Sequence, residues 1–225
     1  KEAEEKQSLP QEIKIKYNIG VGNNPIFKEV FSRPSTAAKA SIAAIESIAT
    51  KNTKRILNIS GGTHHGRKSQ AYGFCFLNDC VLSILKAIEL GFKKILYVDI
   101  DAHHCDGVQD VFSDNHKVDI ISIHEKKRWP FTGLIEDCKI KNLLNFPVSE
   151  DFTDVDMDFL INDFIVPYSK ALNPDLLIIQ AGADMLHGDP QSRISLSINA
   201  YWKAVHDLLS ICEKSLILGG GGYNP

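Results

Sequence analysis

Lys94-Ile-Leu-Tyr-Val-Asp-Ile-Asp-Ala-His-His-Cys-Asp-Gly107 is the stretch from which the fold is read. An apolar run of strand length opens directly into a cluster of Asp and His residues. Unbroken apolar runs of this length mark strands covered on both faces of a parallel sheet. Outward from it, similar runs stand at residues 55–59, 175–179 and 215–218, with a more polar one at 118–123. Helical patterns lie between them. Residues 36–50 are rich in Ala and Ile, with Ser35 or Thr36 as the expected N-cap. Residues 78–90 repeat Val81, Leu82, Leu85 and Ile88 and end at Gly91. Residues 154–172 carry Pro167, which predicts a break or kink. Residues 197–214 place Ile198, Tyr201, Trp202, Val205, Leu208 and Leu209 near one stripe. Alternating strands and helices predict an α/β fold, with a mainly parallel central sheet and helices on both faces.

The carboxyl ends of these runs matter most. In turn they lead into Ser60-Gly-Gly-Thr-His-His65, Asp99-Ile-Asp-Ala-His-His104, His124-Glu125, Gln180-Ala-Gly-Ala-Asp184 and Gly219-Gly-Gly-Gly-Tyr223. Ligands of open α/β sheets sit beyond the carboxyl ends of the strands. Five such ends supplying Gly, His, Asp and Tyr mark one site.

Asp101 and His103 are two residues apart, which on an extended strand sends both side chains to one side. Asp184 is a third candidate ligand, leaving a position open for water and a carbonyl. Alone, the pair reads more readily as a turn-capping Asp beside a packed His. Such a donor set suits zinc, iron(II), cobalt or manganese. His64 and His65 suit proton transfer near neutral pH, with Asp99 and Asp106 as orienting carboxylates. Tyr223, after four glycines, is placed to donate its hydroxyl to a developing oxyanion. A glycine run can also cradle phosphate, but no Gly-Lys-Ser/Thr follows it here.

The chain has 225 residues, 44% hydrophobic and 24% charged, enough for a sizeable core. A net charge of −3 supplies no basic face, so direct nucleic-acid binding is not expected. No apolar run spans a bilayer, so no membrane partner is expected. Five cysteines without a CxxC pair suggest free thiols in a reducing compartment, and the expected location is cytoplasmic. No repeat or linker divides the chain. One domain is expected over 1–225, incomplete at both ends, since the sequence lacks an initial Met and stops at Pro225 just beyond the glycine run.

GGTHH (61–65), YGFCFLND (72–79), YVDIDAHHCDGVQDVF (97–112), SIHE (122–125), the GADMLHGDP segment around Asp184 and LILGGGGYN (216–224) stand in this order. Together they resemble the histone deacetylase family of the arginase/deacetylase superfamily, over about residues 17–225. The stretch YNIGVGNNPIF (17–27) is nearer the prokaryotic acetoin-utilisation branch. The resemblance implies a three-layer arginase/deacetylase-like fold and a zinc-dependent hydrolase. Its expected reaction removes acetyl or other acyl groups from lysine side chains or small amines with metal-activated water. It implies Asp101, His103 and Asp184 as zinc ligands, with iron(II) or cobalt as other fits. His65 with Asp106 becomes the general base and then acid. His64 with Asp99 polarises water and substrate, and Tyr223 polarises the acyl carbonyl. Gly73 and Phe74 line the acyl-lysine tunnel, with Trp129 opposite. A K+ or Na+ site draws on Asp99, Asp101, His103, Ser122 and Ile123. The expected partner is an acetylated protein or a small N-acyl amine, and the oligomeric state is left open.

Three features depart from the family pattern. Cys105 stands where Gly is usual, Arg128-Trp-Pro-Phe-Thr-Gly133 varies a Phe-Pro-Gly segment, and the family's first strands lie upstream of Lys1. The related ureohydrolases hold two manganese ions and need further carboxylates where this chain has Cys105 and Leu186, so one metal is expected. A non-catalytic metal-binding or scaffold role and an acetylpolyamine deacetylase are the alternatives.

Overall fold

Among the described residues six strands form: β1 (Arg55–Asn58), β2 (Ile95–Asp99), β3 (Val118–Glu125), β4 (Leu143–Val148), β5 (Leu176–Gln180) and β6 (Ser215–Leu218). The computed structural model describes residues 1–224, so the terminal Pro225 of the sequence lies outside the described residues. The sheet order is β1-β6-β5-β2-β3-β4, and every pairing is parallel. Central strands β2, β3 and β5 are buried at every position, as unbroken apolar runs require. β1 differs from its expectation of two covered faces. It is an edge strand, and Leu57 and the following Ile59 are exposed.

Among the described residues eight α-helices accompany the sheet: α1 (Glu2–Lys6), α2 (Gln11–Tyr17), α3 (Ser32–Thr50), α4 (Asp79–Glu89), α5 (Asp106–Phe112), α6 (Asp154–Phe159), α7 (Val166–Leu172) and α8 (Ile198–Leu208). Strand alternation sorts them into layers. Ile95 and Tyr97 of β2 pack with Ile45 and Ile48 of α3, Ile84 of α4 and Val108 of α5. Leu96 and Val98 pack on the opposite face with Met157, Ile165 and Leu208. The result is a three-layer α/β fold. Among the described residues no helix is long and apolar enough to cross a membrane.

Several local expectations change. α3 starts at Ser32, and neither Ser35 nor Thr36 caps it; the Thr36 hydroxyl donates back to the Ser32 carbonyl instead. Pro34 is tolerated because it lies in the first turn, where its missing N–H costs nothing. Pro167 does not break its helix. Residues Leu160–Ile165 adopt a π-helical stretch between α6 and α7, the wider turn that relieves the clash of a proline ring with the preceding carbonyls. α8 is capped by Ser197 but ends at Leu208, and it buries Tyr201, Val205 and Leu208 while Ile198 and Trp202 face solvent. β4 is not expected from its sequence, because Asn145 and Pro147 interrupt its apolar pattern. At the sheet edge, Pro147 loses little by lacking an N–H. The Asn142 side chain anchors this edge by donating to the carbonyls of Phe112, Asn115 and Val118 at 2.9, 3.2 and 2.7 Å.

The start of α4 fixes the loop that carries the adjacent histidines. Asn78 caps the helix through the Val81 N–H at 2.9 Å, and its amide donates to the carbonyls of His64 and Gly66. The buried Asp79 carboxylate accepts the N–H groups of Gly62 and Thr63 at 2.9 and 2.8 Å, and the Ser41 hydroxyl at 2.6 Å. Asp79→Ala strands these donors without water. It is expected to cost about 3–5 kcal/mol of unfolding free energy. Urea denaturation checks this, and a loss below about 1 kcal/mol would show that the loop holds itself.

Candidate active site

The three candidate ligands come from two adjacent strands. Because β5 pairs directly with β2, Asp184 just beyond β5 comes level with Asp101 and His103 just beyond β2. One donor atom from each lies within 4.8 Å of the others, and all three residues are buried. His103 Nδ1 faces Asp184 Oδ2 at 2.9 Å and Asp101 Oδ1 at 3.2 Å. A methyl on Gly221 would overlap the Asp184 carboxylate, so the glycine run after β6 is what lets main chain approach the centre. Two carboxylates crowded at one buried point need a cation to be stable, and the donor set fits a divalent metal.

The charges respond to that crowding. Burial works against an imidazolium at His103, but hydrogen bonds and charge from Asp101 and Asp184 outweigh it and push the residue up to about 9. Burial and the Asp101 charge push Asp184 upward. The His103 proton thus substitutes for a cation, and metal loading must displace it.

His64 and His65 stand beside this centre, each tied to its own carboxylate. His64 Nδ1–H donates to Asp99 Oδ2 at 2.8 Å, and His65 Nδ1–H donates to Asp106 Oδ1 at 2.7 Å. Their Nε2 atoms meet at 2.9 Å. Burial opposes charge on His64, but Asp99 and Asp101 outweigh it and push it up to about 10. Burial, then the His64 charge, pushes His65 down to about 4. The two Nε2 atoms therefore share one proton, held by His64, and His65 Nε2 accepts it. Asp106 feels burial first, yet the His65 hydrogen bond and the His65 and Arg67 charges hold it below the usual carboxylate range.

The remaining expected positions also gather at this edge. Tyr223 follows β6, and its main-chain N–H donates to Asp189 Oδ2 at 2.7 Å. Burial, then the charges of Asp101 and Asp184, pushes its hydroxyl upward, so it stays a neutral donor. Its ring centroid is 6.4 Å from that of Phe74. Phe74 adopts φ +64°, and the buried Asn24 side chain accepts its N–H at 3.0 Å. Trp129 closes the other side, with its ring edge-on to His65 at 4.7 Å. Any side chain at Gly73 would overlap the Trp129 ring, which accounts for glycine there. Trp129 is steadied from Glu125, which accepts Arg128 Nη2 at 2.9 Å and the Arg193 N–H at 2.9 Å.

Ser122 lies level with Asp99 across β2 and β3. His124 Nε2–H donates to the Gly133 carbonyl, so its Nδ1 must accept from the Ser122 hydroxyl, at 2.9 Å. The Ile123 side chain packs in the apolar layer with Leu96 and Val98, leaving only its main chain facing any cation.

Three contributors carry no signal of their own as site residues. The Tyr97 hydroxyl donates to Asp99 Oδ2 at 2.5 Å, although Tyr97 reads as an ordinary core aromatic. Gln180 Nε2 donates to Asp101 Oδ2 at 2.9 Å, and Gly221 N–H donates to the same oxygen at 2.8 Å. A polar Gln ending an apolar strand is the one hint in the sequence. Arg67 reaches Asp106 from a segment that raises no expectation at all.

A family model described as the histone deacetylase domain matches residues 1–225. Histone deacetylase 6 of Arabidopsis thaliana is 33% identical over 213 residues, covering 92% of this chain and 45% of the relative. Histone deacetylase 8 of Xenopus laevis is 33% identical over 216 residues, covering 93% of this chain and 66% of the relative. This chain therefore spans about half to two thirds of the length of these relatives. The crystal structure of an HDAC homolog from Aquifex aeolicus superposes with a TM-score of 0.87 at 35% identity, covering all of this chain and 62% of that one. An HDAC homolog complexed with SAHA gives a TM-score of 0.86 at 36% identity, with coverages of 99% and 61%.

Proposed function

The chain belongs to the histone deacetylase family, and from that premise we propose that it hydrolyses N-acyl amides, acetyl-lysine side chains or small N-acyl amines, at a zinc centre. The observation that carries this reading is the pairing of His65 Nδ1 with Asp106 while its ring stands beside three converging ligands, 6.0 Å from that of His103. Zinc held by Asp101, His103 and Asp184 would supply Lewis acidity, making water more acidic and polarising the acyl carbonyl.

The side chains do the rest. His65 Nε2 accepts the proton of the attacking water, and Asp106 stabilises the imidazolium that results. His64, its ring oriented by Asp99, polarises water and substrate when these enter beside its Nε2. Tyr223 donates its hydroxyl to the oxygen that gains charge as the carbonyl becomes tetrahedral. His65 then returns the proton to the departing amine. Gly73, Phe74 and Trp129 bound the acyl chain and keep bulk water from it. Asp99, Asp101, His103, Ser122 and the Ile123 main chain would hold a monovalent cation.

The test is turnover of an acyl-lysine peptide and acylpolyamine panel by the zinc-loaded chain, with metal content measured in parallel. Asp184→Ala is expected to lose both metal and turnover. Turnover equal to the parent in that variant would sink the reading.

A further inference from the structure

Arg67 reaches two carboxylates at once, Asp106 and Asp110, which stand one turn apart on α5. Its guanidinium carbon lies over the Tyr72 ring, with Cζ 4.9 Å from the ring centroid. Tyr72 in turn lies against Trp129, with centroids 5.0 Å apart and planes inclined by 32°. Trp129 meets His65 edge-on at 4.7 Å, and His65 Nδ1–H returns to Asp106 at 2.7 Å. Five side chains thus close a ring of contacts: Arg67, Tyr72, Trp129, His65 and Asp106. Proton transfer by His65 needs only Asp106, so the other half of the ring serves some further purpose.

We propose that Arg67 is a positioning residue that locks the catalytic pair to the wall of the acyl tunnel. This rests on the proposed reading of His65 as proton acceptor and Trp129 as wall. Asp106 Oδ1 accepts from His65 and from the Gly107 N–H at 2.9 Å, while Oδ2 accepts from Arg67. A carboxylate held at both oxygens cannot rotate, so the plane of the His65 ring is set by it. The same guanidinium presses Tyr72 onto Trp129, so the acyl group meets a wall in register with the proton acceptor. Arg suits both tasks, because its planar fork spans two carboxylates while its face stacks on an aromatic ring. Lysine keeps the charge and loses the stack. Arg67 is about a quarter exposed, and without it Asp106 still accepts from His65 and from the Gly107 N–H, so the carboxylate is not stranded.

That separation of charge from stacking defines the experiment. The sequence holds two tryptophans, and Trp202 is exposed on α8 away from the site. In a Trp202→Phe background, acrylamide quenching therefore reads Trp129 alone, with or without turnover. The zinc-loaded chain is assayed in parallel for kcat and KM on an acetyl-lysine peptide. Arg67→Ala is expected to raise quenching and KM and to lower kcat by about 10–100-fold. Arg67→Lys is expected to recover most of kcat while quenching and KM stay near the Ala values. Tyr72→Ala is expected to move quenching and KM with a smaller loss of kcat. Unchanged Trp129 quenching in Arg67→Ala would overturn the proposal, as would equal loss of kcat at constant KM in all three variants. Should the parent turn over no N-acyl amine while Arg67→Ala and Tyr72→Ala both open Trp129 to acrylamide, the deacylase reading falls and the locking of the wall by Arg67 stands.

Discussion

His65→Ala lowers kcat for acyl-lysine hydrolysis by about 10²–10⁴-fold and leaves the bound metal in place. Both halves follow from position. His65 is buried and donates Nδ1–H to Asp106, so the nitrogen left for chemistry is Nε2, which meets His64 Nε2 at 2.9 Å beside the ligands. Burial and the neighbouring His64 charge push it down to about 4, so near neutral pH it is an uncharged acceptor, facing His64 Nε2 until water enters. It contributes no atom to the Asp101, His103 and Asp184 cluster, and metal content should not fall. Removal leaves Asp106 bonded to Arg67 and to the Gly107 N–H, so the carboxylate is not stranded and the fold survives. Kinetics with metal analysis decides the matter. Parental kcat in the variant would remove His65 from the chemistry, and loss of metal would make it a support of the centre.

Tyr223→Phe lowers kcat by about 10²–10³-fold with little change in KM. The substitution deletes one hydroxyl and keeps the ring. Tyr223 is set in place by its main-chain N–H on Asp189, which phenylalanine retains. Burial and the nearby Asp101 and Asp184 charges keep the hydroxyl protonated, so it donates and does not compete as an anion. Its donation gains strength as charge develops on the carbonyl oxygen, which places the loss in kcat. Steady-state kinetics on one acetyl-lysine peptide separates the two parameters. A rise in KM with unchanged kcat would reassign Tyr223 to substrate binding.

These two residues and their partners are legible in the sequence to different degrees. The GGTHH and GGGGY segments follow apolar runs and stand out locally, so His64, His65 and Tyr223 can be picked out one by one. Asp106 stands two residues past the second histidine of the strand-end cluster, and its pairing with His65 is a choice between two carboxylates. Strand β4 cannot be picked out, because Asn145 and Pro147 break the apolar run that marks a strand, and at an edge the sheet tolerates both. The π-helical stretch before Pro167 is equally hidden, since a proline in a helical pattern predicts interruption and says nothing of how the helix accommodates it.

By itself the sequence determined the class of fold, the strand ends that carry the chemistry and the residue types suited to a metal and a proton acceptor. These are local properties, written as side-chain periods of two and 3.6 and as glycine and capping residues beside them. Tertiary structure alone decided that β5 lies beside β2 and so brings Asp184 level with Asp101 and His103. It also decided that Tyr97 and Gln180 turn polar atoms onto Asp99 and Asp101, and that Arg67, Tyr72 and Trp129 complete a ring with His65. The reason is physical: strand order and register are settled by the summed burial of two layers against one sheet, and no short window of sequence contains that sum.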